Sequence, residues 1–195
     1  LLLPSQIAPE SALGQVLGCA TVGSRIVATF PSSVDAPGEV YIMDVLDTVP
    51  SAAWGEPQDP KAGMPTVTLG KDGAPTVAIP DAPAPDAIEI SVLKKGDGPA
   101  VKPNDTTLLQ YYGVDWATGE SFDSSWSRGA PYSNPGNNYV PGFVQALDGQ
   151  TVGSQVLVVI PPALAYGEAG SSDHQLAGAT LVFVIDILAT AQAAS

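Results

Sequence analysis

Cationic residues are scarce in this chain: seven Lys plus Arg stand against twenty Asp plus Glu in 195 residues, a formal net charge of −13. Phosphate backbones are bound by clustered Lys and Arg, so this balance excludes a nucleic-acid partner and argues against docking on an anionic membrane surface. The single cysteine, Cys19, excludes an internal disulfide and a Cys-based metal site, and is expected to be a small buried residue. The single histidine, His174, excludes mechanisms that need two imidazoles, most zinc enzymes among them, and is expected in an exposed loop. The longest apolar run, residues 156–165, is about ten residues and is cut by Pro161 and Pro162, too short for a membrane-spanning helix. There is no Gly-rich phosphate loop, no Gly-x-Ser-x-Gly elbow and no His-Glu-x-x-His. Neither a metal nor a cofactor is expected.

Twenty glycines and nineteen prolines predict many turns and few long helices, and the length allows one to one and a half β-rich domains. The chain opens on Leu1-Leu2-Leu3 with no basic flank, and is expected to be a piece of a longer one.

An internal repeat organises the rest. Thr21-Val22-Gly23-Ser24 recurs as Thr151-Val152-Gly153-Ser154, an offset of 130 that also pairs Leu13 with Phe143, Gln15 with Gln145, Leu17 with Leu147 and Pro31 with Pro161. Further on, Val40-Tyr41-Ile42-Met43-Asp44-Val45-Leu46 matches Val182-Phe183-Val184-Ile185-Asp186-Ile187-Leu188 at offset 142. Between the two matched stretches the first copy has eight residues (32–39) where the second has twenty (162–181). The shared unit reads as short helix, turn, strand, loop, strand. In the second copy Pro141 suits a first helical turn, Phe143, Ala146 and Leu147 make one apolar face, and Asp148-Gly149 ends it. Residues 156–160 read as a strand buried on both faces, and 180–188 as the closing strand.

The expected domains are a partial first copy at 1–50, a linker at 51–64 rich in Pro, Gly and Ala, and a complete second domain at 65–195 with its core at 87–190. Within the last, 66–69 and 76–79 read as a hairpin joined through Asp72-Gly73. Residues 81–86 form a stiff Pro-Ala connector, Ile88, Ile90 and Val92 alternate as a strand, 106–112 is another, and 114–120 turns at Thr118-Gly119. Trp116 is expected in local packing and Trp126 at the surface.

The second copy also carries a set of aromatics: Tyr111, Phe122, Tyr132, Tyr139, Phe143, Tyr166 and Phe183, with Asp123 beside Phe122. Six segments, Leu109-Gln110-Tyr111-Tyr112-Gly113, Phe122-Asp123-Ser124-Ser125, Val140-Pro141-Gly142-Phe143, Thr151-Val152-Gly153-Ser154, Ala165-Tyr166-Gly167 and Ala179-Thr180-Leu181-Val182-Phe183, follow one another in a way that resembles the FKBP-type peptidyl-prolyl isomerases. The resemblance covers about residues 87–190. It implies an α+β fold, a curved antiparallel sheet wrapped round one short helix, with a cleft between them and a partial, degenerate copy of the same fold ahead of it.

Carried over residue by residue, the resemblance makes Tyr111, Phe122 and Phe183 the walls and Phe143 the floor. Asp123 matches the pocket carboxylate, and Tyr166 the tyrosine whose hydroxyl holds a substrate carbonyl. Arg128 matches an arginine that fixes the carboxylate and a pocket tyrosine, and Tyr132 stands where many members have Phe. The backbone amide of Val140 matches a ligand-binding group, and Tyr139, Ala165 and Leu176 complete the implied substrate contacts. Two positions depart from the family pattern: Phe143 replaces a common Trp, and residues 171–177 replace an apolar, Pro-containing loop tip. From the residues alone, Asp123 also reads as a turn cap, Arg128 as a solvated surface residue, and each aromatic as plain core.

The implied partners are proline-containing polypeptides and macrolides such as rapamycin, with protein docking through the first copy, which lacks counterparts of Tyr111, Phe122, Asp123 and the Tyr166 loop and is expected to be inactive. A chaperone or scaffold that binds proline peptides with little catalysis is the alternative. The acidic, Ala/Pro-rich composition is similar to that of exported bacterial tandem members, which implies an extracytoplasmic, lipid-anchored location in the cell envelope, with the cytoplasm as the alternative.

Overall fold

In a computed structural model that describes residues 11–18, 20–32, 37–46 and 48–192, the apolar run after Ser154 becomes the buried centre of an antiparallel sheet. The chain divides into two units, Leu1–Val49 and Pro50–Ser195. Cys19 lies outside the described residues. No helix among the described residues is long and apolar enough to cross a membrane.

The first unit holds α1 (Ala12–Leu17), β1 (Arg25–Phe30) and β2 (Glu39–Asp44). Ser11 caps α1 by accepting the Gly14 N–H at 2.9 Å. The two strands pair antiparallel from Arg25 opposite Asp44 to Phe30 opposite Glu39. Among the described residues of this unit Ala28 is the one buried hydrophobic side chain, while Val27, Val40 and Ile42 are 62%, 66% and 68% exposed.

The second unit runs β3 (Glu56–Pro57), β4 (Thr66–Leu69), β5 (Pro75–Ala78), β6 (Glu89–Lys95), β7 (Thr106–Asp115), β8 (Ser121–Ser124), β9 (Tyr132–Pro135), α2 (Pro141–Leu147), β10 (Gln155–Ile160) and β11 (Leu181–Ala191). Seven of these strands make one sheet in the order β3-β6-β10-β11-β7-β8, with β9 also paired to β7. Every residue of β10 is buried, and strand alternation divides them between two cores. Val156, Val158 and Ile160 join Leu109, Tyr111, Phe143, Phe183 and Ile185 on the α2 side. Leu157 and Val159 join Val114, Val182, Val184 and Met64 on the other, where Val67, Val77 and Ile79 pack from the β4–β5 segment. That hairpin is what buries the second face of the run.

The two matched sequence stretches also share a strand register. Adding 130 to the numbers of β1 and 142 to those of β2 converts all six pairs of the first hairpin into the six pairs of β10 with β11. The turn bonds convert likewise. Gly23 N–H donates to Val45 C=O at 2.8 Å and Gly153 N–H to Ile187 C=O at 2.7 Å; Val45 N–H donates to Ser24 C=O and Ile187 N–H to Ser154 C=O, both at 2.9 Å.

Residues 51–64 differ from the expected linker, because they are fastened along the second unit. Ala53 and Met64 are buried, and β3 pairs with the end of β6. Ala53 N–H donates to Asp186 Oδ2 at 2.8 Å, and Lys94 Nζ to Ala53 C=O at 2.9 Å. A Pro- and Gly-rich composition signals loss of regular structure, and these attachments use backbone groups that composition does not reveal. Val114 and Asp115 belong to β7, so the turn predicted from residue 114 starts two residues later, and β9 was not expected at all.

Candidate active site

The floor of the cleft is placed by α2. Val140 is its N-cap, and the Val140 carbonyl accepts from Phe143 N–H at 3.0 Å and Val144 N–H at 3.2 Å. Gly142 lets the helix press onto β10, since a Cβ there would lie 2.3 Å from Ile160 Cγ2. Phe143 thereby reaches the sheet and is only 4% exposed.

Neighbouring strands supply the walls. Tyr111 and Phe183 extend from β7 and β11 on the α2 side, and Phe122 leans in from β8. Phe183 meets Phe143 edge-on at 5.2 Å between centroids, Phe122 at 5.4 Å and Tyr111 at 6.3 Å. Tyr139 stacks on Phe143 at 4.8 Å, and Tyr132 closes the ring against Tyr111 at 5.7 Å. Each such pair contributes roughly 0.5–1.5 kcal/mol beyond its buried area, so the rings form a stiff lining. They enclose a cavity of about 430 Å³ that Val140 and Tyr166 also line.

One polar cluster interrupts this wall. The Tyr111 hydroxyl donates to Asp123 Oδ2 at 2.6 Å and accepts from Arg128 Nη2 at 2.6 Å. Arg128 Nη1 pairs with Asp123 Oδ1, and the guanidinium lies 5.2 Å from the Tyr111 ring centroid. Burial pushes the Asp123 carboxyl up, but the bonds from Tyr111 and Arg128 outweigh it and hold the group below its ordinary value. Burial, reinforced by Asp123, raises the Tyr111 phenol. Burial also pushes Tyr139 up to about 12, and burial followed by the Asp123 charge raises Tyr166.

Ten of the twelve residues assigned from sequence thus meet at one cavity: Tyr111, Phe122, Asp123, Arg128 and Tyr132 from β7 to β9, then Tyr139, Val140, Phe143, Tyr166 and Phe183. Ala165 and Leu176 do not reach it. Both are half-buried and pack against the core cluster, as Phe122, Tyr139, Val140 and Tyr166 also do. Asn138 joins the lining unannounced; it sits in a short turn (Gly136–Asn138) whose polar sequence marks a loop and nothing more.

His174 is exposed in its loop as expected, and its ring lies flat on Tyr166 with centroids 3.6 Å apart and planes 6° apart. Its Nδ1 accepts Leu176 N–H at 3.1 Å, while Ser172 Oγ donates to Tyr166 C=O at 2.9 Å. The polar loop tip therefore braces Tyr166 from outside the cleft.

Gly113 provides a direct test of wall position. A Cβ there would sit 2.7 Å from Phe122 Cζ and 2.9 Å from Phe183 Cε1. Phe122 is half-buried and can swing away, so Gly113→Ala should cost about 1–3 kcal/mol of stability, the usual range for overpacking. The displaced wall should still lower any catalysis in the cleft by roughly tenfold, since ~1.4 kcal/mol of lost transition-state contact is enough. Urea denaturation and a turnover assay on the same preparation separate the two effects.

Residues 98–188 match the family of FKBP-type peptidyl-prolyl cis-trans isomerases. The chain is 41% identical over 114 residues to a probable FK506-binding protein of Corynebacterium glutamicum, covering 58% of this chain and 96% of that protein. It is 36% identical over 118 residues to an FK506-binding protein of Streptomyces anulatus, covering 59% of this chain and 95% of that one. Among solved structures, FkpA from Escherichia coli superposes with a TM-score of 0.51 at 30% identity, over 69% of this chain and 54% of that one.

Proposed function

This chain belongs to the FKBP-type peptidyl-prolyl cis-trans isomerases, and from that membership we propose that its aromatic cleft turns Xaa-Pro bonds in polypeptide substrates by excluding water from a twisted amide. Uncatalysed rotation crosses a barrier of about 20 kcal/mol and takes tens of seconds. At the midpoint the amide has lost resonance, its C–N polarity falls and its nitrogen turns pyramidal. A dry cleft therefore favours the twisted form over the planar one, and each ~1.4 kcal/mol of that preference is tenfold in rate. Phe143 and Phe183 hold the proline ring, and the Tyr166 hydroxyl meets the substrate carbonyl. Tyr111 and Arg128 lock Asp123 in place so that its charge does not drift into the apolar floor. The observation that carries this reading is the closed set of ring contacts around the cavity, broken at one place by a fixed carboxylate.

The test is cis–trans exchange of a short Xaa-Pro peptide by NMR, with and without the chain. Exchange should rise steeply and fall on adding rapamycin. Unchanged exchange with shifted peptide resonances would replace the enzyme by a binding module. The segment before residue 65 should be kept, since β3 pairs with β6 and Ala53 N–H is bonded to Asp186.

The acceleration should also be flat between about pH 7 and pH 9. Asp123 is lowered and so stays ionised throughout, while Tyr111 and Tyr166 are raised and so stay protonated. A limb inside that window would overturn the roles given to all three.

The first unit is read as an inactive partial copy that serves docking. Its hairpin register and turn bonds support the copy, and its exposed Val27, Val40 and Ile42 support the docking. Isolated with its natural upstream sequence, it should not accelerate exchange; a rate close to that of the second unit would sink the idea. An extracytoplasmic location completes the reading, supported by the acidic, Ala/Pro-rich composition. Cell fractionation that recovers the native protein with cytosolic markers would overturn it.

A further inference from the structure

The β4–β5 hairpin, which lies ahead of the residues matched by the family, does more than cover the back of the sheet. Its end residues Ala74 and Pro75 face β8 across a second cavity of about 400 Å³. Tyr112, on the sheet face opposite Tyr111, and Trp126, in the turn after β8, form its other apolar walls. Two bonds pin that turn: Ser127 Oγ donates to Ser124 C=O at 2.8 Å, and Ser127 N–H to Ser124 Oγ at 3.3 Å. The hairpin loop abuts it so closely that a Cβ on Gly73 would lie 3.3 Å from the Trp126 ring.

The groove adjoins the cleft at the sheet edge, because Phe122 and Asp123 line both. It also runs along β8, the last strand in the sheet order, whose outer edge is unpaired among the described residues. Such an edge offers backbone N–H and C=O groups to an extended chain, and flanking pockets then select its side chains. A polypeptide whose proline occupies the cleft must leave it on both sides. At about 3.3 Å per residue, two or three further residues carry it past Phe122.

We propose that this groove is a substrate subsite, holding an extended segment next to the Xaa-Pro pair with an apolar or aromatic side chain seated between Trp126 and the Ala74-Pro75 tip. The proposal rests on the prolyl-isomerase reading of the cleft and deepens it. The common domain supplies the chemistry, and the added hairpin supplies a grip on longer, less folded substrates.

The test compares two peptides with the same central Ala-Pro in NMR exchange measurements on the whole chain. One is a blocked tetrapeptide, and the other carries four further residues on each side, including a Phe near each end. The native chain should have a KM about tenfold lower for the long peptide, a difference of ~1.4 kcal/mol. Trp126→Ala should remove that advantage while leaving kcat and KM for the tetrapeptide within twofold. Ala74→Trp, which fills the groove without opening a cavity, should do the same, and thermal melts should show both variants folded. If the native chain accelerates both peptides and the long-peptide advantage is absent, or survives in both variants, the subsite is overturned and the isomerase stands. If it accelerates neither, the isomerase reading falls and the subsite with it.

Discussion

Phe143→Ala should abolish most of the catalysis and a large part of the stability at once. Phe143 is almost fully buried and touches three other rings, stacked on Tyr139 at 4.8 Å and edge-on to Phe183 at 5.2 Å and Tyr111 at 6.3 Å. Truncating a buried Phe to Ala costs about 3–5 kcal/mol, because the lost transfer energy is joined by the cavity left behind. Here that cavity opens directly beneath the place where the amide must twist. Water entering it would solvate the planar, more polar amide better than the twisted one and so remove the preference that drives rotation. Loss of two or three ring contacts at roughly 0.5–1.5 kcal/mol each corresponds to a fall of about 100-fold in kcat/KM. Phe143→Leu is the control. It keeps most of the volume, so it should lose about 1–1.5 kcal/mol of stability and roughly tenfold in rate. Equal activity in the native chain and the Ala variant, both shown folded by urea denaturation, would mean that the floor takes no part in the reaction.

The parts of this molecule that were legible in its sequence are those where local chemistry and tertiary packing agree. The short helix at 141–147 announced itself through Pro141 and the spacing of Phe143, Ala146 and Leu147, and all three of those apolar side chains are buried. The run at 156–160 announced burial on both faces, although nothing local told which segment would cover the second one. That cover is the 66–78 hairpin, whose two strands were legible but whose destination was not. β9 was missed because Tyr132-Ser133-Asn134-Pro135 is written in turn-forming residues, and it is β7 across the ladder that makes it a strand. The role of His174 was hidden for a related reason: flat stacking on Tyr166 depends on a loop conformation that no residue spacing encodes. The cleft was more legible than either, since six motifs carry its residues. Even there two assigned residues, Ala165 and Leu176, are absent from the cavity lining, although Tyr166 beside Ala165 is part of it.

Asp186→Ala should destabilise the second unit by about 2–4 kcal/mol, because two buried donors would lose their acceptor at roughly 1–3 kcal/mol each. Asp186 accepts Ala53 N–H at 2.8 Å on one oxygen and Gln155 Nε2 at 2.7 Å on the other, and it is almost fully buried. The same carboxylate therefore joins the two central strands to the segment that composition presents as linker. Burial raises its carboxyl above the ordinary range, against the pull of the Ala53, Gln155 and Lys94 groups. Because the folded value lies above the unfolded one, this group stabilises the fold most when protonated, and that contribution fades as pH rises through the folded value. Asp186→Asn should accordingly lose less than the Ala variant and remove that pH-dependent component, since its amide oxygen still accepts one donor. The position matters for more than stability. Its counterpart in the first hairpin, Asp44, pairs with Arg25 at 2.7 Å in an exposed ion pair, and solvent screening leaves such a pair little weight in stability. Asp44→Ala should thus leave urea denaturation of the second unit unchanged. Limited proteolysis distinguishes the two sites further: Asp186→Ala should expose residues 51–64 to cleavage while the cleft still binds peptide, and an uncut segment in that variant would show that β3 holds the strap without Asp186.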